Sequence, residues 1–135
     1  MILYADSNYT KILRNLNFEE QLKKRCINLS YRNSKNYTLF LYAAAHEEFA
    51  PQLEMIAKNY YEEVSEQTVD FDNALNVAIQ ANNYKGAKVL LECGFDVNHK
   101  IYLDSTIPPL FLACITNNEE MVNLLLDYNA DTKRE

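Results

Sequence analysis

Apolar positions along this chain come in short bursts of helical spacing, separated by polar turns, and the bursts recur. Leu75, Val77, Ala78 and Ile79 form one apolar stretch, and Ala87, Val89, Leu90 and Leu91 form another after a polar Asn82-Asn83 break. The same order returns downstream as Leu110, Leu112, Ala113 and Ile115, then Asn117-Asn118, then Met121, Val122, Leu124, Leu125 and Leu126. Apolar residues at intervals of three and four predict amphipathic helices, so each unit predicts two short helices joined by a tight turn. A shift of 35 positions lays residues 73–78 on 108–113, Val89-Leu90-Leu91 on Leu124-Leu125-Leu126, Gly94 on Asn129 and Asp96 on Asp131. The reverse shift sets Phe40 under Leu75, Ala43 under Ala78 and Met55-Ile56 under Leu90-Leu91. That match is looser, because Glu54 falls where Val89 and Leu124 stand.

Local signals support this division. Pro109 suits a first helical turn. Asn118 is placed to cap the helix that follows, and Glu119 and Glu120 complement the positive end of that helix. Helices this short are marginal in isolation, so the units are expected to stack and bury the faces that each leaves open. The first 35 residues do not repeat in sequence. There Asn17-Phe18-Glu19-Glu20 has capping-box spacing, and Phe18, Leu22, Cys26 and Leu29 follow at helical intervals. Thr10 is expected to open a preceding short helix with Ile12, Leu13 and Leu16. This segment reads as a helical cap over the weak first unit, or as a dedicated binding arm.

The repeated residues resemble the ankyrin repeat, whose pattern runs T-P-L-H-x-A-A, a turn, a Val/Leu-rich helix and G-A-D-V-N. Leu75, Ala78, Val89-Leu90-Leu91 and Gly94-Phe95-Asp96-Val97-Asn98 carry that pattern, as do Pro109-Leu110, Ala113, Leu124-Leu125-Leu126 and Ala130-Asp131. The resemblance is good over residues 73–132, loose over 38–60 and slight before that. It implies an all-α, ankyrin-like helix-turn-helix solenoid with an N-terminal helical cap. One folded unit would hold a cap over 1–35, a degenerate repeat over 36–71 and clear repeats over 72–106 and 107–135. The family's first-helix His is absent; Leu41, Asn76 and Phe111 occupy its slot, and the Thr that shares its hydrogen bonds survives only as Thr38. Apolar packing by Phe111 is expected to compensate. Where the family has turn glycines this chain has Asn82, Asn117 and Asn129, and asparagine tolerates the left-handed conformation better than most residues.

Composition sharpens the picture. Only two glycines and three prolines occur in 135 residues, which disfavours a many-stranded sandwich or barrel. A net charge of −6 argues against nucleic acid as partner. The N-terminus lacks a signal-peptide pattern and no apolar run is long enough to span a membrane, so a cytoplasmic location is expected, with delivery into a host cell as a variant. Cys26, Cys93 and Cys114 lack paired metal spacing and read as small half-buried residues of a reducing compartment. His46 and His99 have no partner at metal or nucleophile spacing, and Glu47-Glu48, Glu62-Glu63 and Glu119-Glu120 read as solvated surface. No phosphate loop is present. No catalytic residue, cofactor or metal site is therefore assigned, and the chain is not expected to be an enzyme; a hydrolase or transferase is the remote alternative.

What remains is surface. Solenoids bind partners along extended concave faces. Carrying the family's contact slots onto this chain marks Ala45, His46, Gln80, Ala81, Ile115 and Thr116 on the first helices, and His99, Lys100, Ile101, Tyr102 and Leu103 in the connecting finger. The run Ile101-Tyr102-Leu103 either meets a partner or folds back around Tyr60, Tyr61 and Phe71. The expected function is protein–protein interaction as an adaptor, scaffold or effector, with a basic partner surface favoured by charge. The alternative is a small acidic inhibitor or immunity protein that blocks a basic toxin or enzyme. The last apolar pair has no polar cap after it, so self-association or further repeats are expected at that end.

Overall fold

Helices of six to ten residues need neighbours, and the structure supplies them in two layers. The computed structural model describes residues 6–64, 74–97 and 109–128, and all regular structure among them is helical. One layer contains α3 (Leu39–Ala44), α6 (Ala74–Gln80) and α8 (Pro109–Ile115). The other contains α4 (Ala50–Asn59), α7 (Tyr84–Glu92) and α9 (Glu119–Asp127). Within each layer a helix packs on its successor: α3 on α6 and α6 on α8, then α4 on α7 and α7 on α9. The chain is thus an all-α stack of ankyrin-like helix pairs. Helix α6 lies between two layer neighbours, and accordingly every residue from Ala74 to Ile79 is buried.

Before these come α1 (Asp6–Arg14) and α2 (Phe18–Lys23), and a one-turn α5 (Tyr61–Val64) follows α4. Although residues 1–35 carry no sequence repeat, α1 and α2 form a helix pair, with α1 packed on α3. Contacts between this pair and the next unit span the separations found between later units. The Thr10 hydroxyl lies 2.9 Å from that of Tyr42, the Gln52 amide donates to the Leu13 carbonyl at 3.0 Å, and the Tyr60 hydroxyl donates to the Leu22 carbonyl at 3.0 Å. Arg14 pairs with Glu48 at 2.7 Å and Arg25 with Glu63 at 2.9 Å.

Several local expectations are corrected here. Helix α1 begins at Asp6, so Thr10 lies inside it, and Leu16 is fully exposed rather than core. Asn17 makes no side-chain cap on α2; instead Asn15 Oδ1 accepts from the Asn17 N–H at 2.8 Å. Helix α2 also stops at Lys23, well short of Leu29, and leaves Cys26 exposed. The reason is Arg25, which adopts φ 59°. Its N–H donates to the Leu22 carbonyl and that of Cys26 to Gln21, a Schellman-type ending. A left-handed arginine costs about 1–2 kcal/mol of backbone strain. Its guanidinium, 4.7 Å from the centre of the Tyr60 ring and paired with Glu63, is what holds it there.

The same ending recurs at Asn82 (φ 58°), Asn117 (φ 58°) and Gly94 (φ 99°). After α6, Asn82 N–H donates to Ile79 O and Asn83 N–H to Ala78 O; after α8, Asn117 donates to Cys114 and Asn118 to Ala113. The asparagine turns expected at 82 and 117 are present, while Asn129 lies outside the described residues. The first unit differs. Glu47 stands where Asn82 does, no left-handed residue occurs between α3 and α4, and a 3₁₀ turn at Glu47–Phe49 joins them.

The residue after each asparagine turn does two jobs. Asn83 Oδ1 accepts from the Gly86 N–H (2.9 Å) to cap α7, while its Nδ2 donates to the Ala44 carbonyl (2.9 Å) at the end of α3. Asn118 Oδ1 accepts from Met121 N–H (3.1 Å) to cap α9, and its Nδ2 donates to Asn82 Oδ1. One amide thus starts a helix and ties it to the preceding unit. Thr38, the surviving family threonine, caps α3 through the Leu41 N–H at 3.2 Å. Phe111 is only half-buried, so it does not replace the missing His network by core packing as expected. The cysteines also depart from expectation: Cys26 and Cys114 are exposed and only Cys93 is half-buried. Burial, then the nearby Glu54 charge, raises the Cys93 thiol above its ordinary pKa.

Candidate functional site

The slots marked on the first helices fall at the ends of α3, α6 and α8, where each chain turn faces outward. Ala45 is half-buried against the core. His46 is half-buried and internally engaged: its ring stacks on Tyr42 at 4.2 Å, meets Phe49 edge-on, and Nδ1 donates to the Tyr42 carbonyl at 2.8 Å. Gln80 and Ala81 are exposed, as is Thr116, whose hydroxyl donates to the Ala113 carbonyl at 3.0 Å. Ile115 is 68% exposed, a large apolar side chain left in solvent. His99, Lys100, Ile101, Tyr102 and Leu103 lie outside the described residues, as does Phe71. The two tyrosines proposed to receive that finger are engaged elsewhere. The Tyr60 hydroxyl reaches the Leu22 carbonyl, while Tyr61 donates to the Gly94 carbonyl at 3.1 Å and meets Phe95 edge-on.

Of these slots, the structure brings Gln80 and Thr116 into one groove of about 800 Å³, running across the asparagine turns of successive units. Its other walls are Glu47, Tyr84, Glu119 and Glu120, with Ile79 and the turn residues Asn82, Asn117 and Asn118 along it. Glu47 is partnered by Lys85 at 3.6 Å, a solvent-exposed pair of small energetic weight. Neither Glu119 nor Glu120 has an ion-pair partner among the described residues. Both sit in the first turn of α9, where the positive helix end favours carboxylates. The groove is therefore a negatively charged, amide-lined surface. In the sequence Glu47 reads as a solvated acid and Glu119 and Glu120 as solvated partners of a helix end, none of them as part of a site. Their position one or two residues from each predicted turn was the signal that they border the Gln80 and Thr116 slots.

A second groove of about 570 Å³ runs between α4 and α7 over Ala50, Pro51 and Val89, with Lys85, Lys88 and four glutamates around it. Among the described residues no cluster of His, Cys, Asp and Glu is placed to hold a metal ion, and no helix is long and apolar enough to cross a membrane. No curated protein matches the chain. Residues 108–134 match the family model for the ankyrin repeat. The region of that match contains α8 and α9, the last of the stacked pairs, so the chain carries an ankyrin repeat within an all-α stack of like-built helix pairs.

Proposed function

We propose that this chain is a non-catalytic binding module that holds a basic segment of a partner protein against the groove across its asparagine turns. Ankyrin repeats are in general protein–protein interaction modules. The observation that carries the finer reading is the meeting of Gln80 and Thr116 with Glu47, Glu119 and Glu120 in one groove drawn from three successive units. Amides and hydroxyls supply directional hydrogen bonds, and the carboxylates supply steering and selectivity for cationic side chains. Ile115 beside Thr116 offers an apolar anchor.

The test is capture from source-cell extract on immobilised wild-type chain and on an E119K/E120K variant, at low and at raised salt. The expected result is a partner with a basic surface that is retained by wild type, weakened by salt and lost from the variant. If that partner is an enzyme or toxin inhibited on binding, the module is an inhibitor; if it stays active, the module is an adaptor. Equal retention by the variant, or capture of acidic partners only, overturns the proposal.

A further inference from the structure

The unit formed by α1 and α2 leads into a stretch whose charge is opposite to that of the groove. From residue 21 to residue 46 the chain has Lys23, Lys24, Arg25, Arg32 and Lys35 and neither Asp nor Glu, whereas residues 36–135 hold 6 Lys and Arg against 16 Asp and Glu. Three of those cations are answered by acids from outside the stretch: Lys23 by Glu19 at 3.1 Å, Lys24 by Glu20 at 2.9 Å and Arg25 by Glu63 at 2.9 Å. Arg32 is not. It is exposed, its guanidinium donates to the Asn36 carbonyl at 3.1 Å, and it has no acidic partner among the described residues. That bond uses one donor of a fork that has five.

The connection from α2 to α3 that carries Arg32 is tied in place. Asn33 is buried, and its Oδ1 accepts from the Lys35 and Tyr37 N–H groups at 3.0 Å each, while its own N–H donates to the Tyr37 carbonyl at 2.9 Å. Asn36 turns the chain with φ 67°, and the Tyr9 hydroxyl of α1 fastens the turn by donating to the Tyr37 carbonyl at 2.8 Å. Exposed Lys35 directly precedes the Asn36 carbonyl that Arg32 reaches, and Tyr31, 40% exposed, directly precedes Arg32. A turn already ordered in this way loses little freedom on binding. An arginine fork holds a carboxylate through two parallel bonds, and an exposed tyrosine is a frequent interface anchor. We propose that this turn is a second binding surface, independent of the groove, which takes an acidic segment of a partner protein with Arg32 forked on one of its carboxylates. A nucleic acid fits less well, because its continuous phosphates would also meet the acids of the later units, whereas a short acidic segment stays on the turn.

A fluorescein-labelled peptide of alternating glutamate and serine, and its twin with glutamine for glutamate, test this by anisotropy at low salt. The glutamate peptide is expected to bind the wild-type chain at least about tenfold more tightly than the glutamine twin. Arg32→Gln should weaken it by about tenfold, with helicity and melting checked by circular dichroism, and Arg32→Lys, which keeps the charge but loses the fork, should fall between. Lys88→Gln, which removes the same charge from α7, and Gln80→Ala, in the groove, should each leave the affinity within about twofold. Three results overturn the proposal. They are equal binding of both peptides, a loss in Arg32→Gln no larger than in Lys88→Gln, and tighter binding of a single-stranded oligonucleotide of equal charge, which would give the turn to nucleic acid.

Discussion

Replacing Asn83 by alanine removes, in one change, the cap of α7 and the tie between α7 and α3. The side chain is 1% exposed, and its two polar atoms reach the Gly86 N–H and the Ala44 carbonyl at 2.9 Å each. Loss of an asparagine cap costs about 0.5–2 kcal/mol. Leaving the Ala44 carbonyl without its donor, in a site closed to water, adds about 1–3 kcal/mol. The expected sum is about 1.5–5 kcal/mol, a large fraction of the roughly 5–15 kcal/mol that holds a domain together. Asn118→Ala removes the corresponding pair in the last unit. There the residue is half-buried and its partner Asn82 is exposed, so water replaces the tie and only the cap is lost, about 1 kcal/mol. Urea unfolding followed by far-UV circular dichroism, with an unchanged slope, measures both. Asn83→Ser should fall between them, because a hydroxyl can cap α7 but cannot reach α3. A cost below about 1 kcal/mol for Asn83→Ala, or an equal cost for Asn118→Ala, would refute the assignment of a buried inter-unit tie.

Other outcomes follow from the same geometry. Gly86→Ala places a methyl 2.8 Å from Asn83 Cγ and closer still to its amide nitrogen, so the melting temperature should fall. That fall runs against the helix propensity, which favours alanine by up to about 1 kcal/mol. In an Asn83→Ala background the penalty should shrink, which a double-mutant cycle would show. At Asn117, with φ 58°, alanine should cost about 1 kcal/mol and glycine should stay within about 0.5 kcal/mol of wild type by thermal melting. Burial and Glu54 keep the Cys93 thiol protonated to higher pH, so iodoacetamide at mildly alkaline pH should label Cys26 and Cys114 before Cys93, as read by peptide mass spectrometry.

Much of the repeat was legible because it is written locally. The apolar spacing of Leu75 to Leu91 and Leu110 to Leu126 marks helix faces within a turn or two. Asn82 and Asn117 mark left-handed stops that few other residues tolerate, and Asn118 stands one residue before the helix it caps. The expectations that failed depended on distant contacts. Arg25 is no stop signal in sequence; Tyr60 and Glu63, more than thirty residues away, make it one. That early stop is why Cys26 lies in solvent and Ile27 and Leu29, beyond the helix, enter the core instead. Asn17 had the spacing of a capping box, yet its side chain makes no cap on α2, and its own N–H is held by Asn15 Oδ1 instead.

The candidate site shows the same division. Gln80 and Thr116 could be placed at first-helix ends through the resemblance to the ankyrin repeat, whose contact slots they occupy. That they share a groove with Glu47, Tyr84, Glu119 and Glu120 depends on how three units stack, since residues more than seventy positions apart line it. Stacking also makes a helix pair of α1 and α2, whose sequence repeats nothing, because a neighbour's open apolar face selects any helical hairpin that can cover it. Local chemistry thus sets where helices start, turn and end. Which surfaces meet is decided by long-range burial that no single segment of the chain encodes.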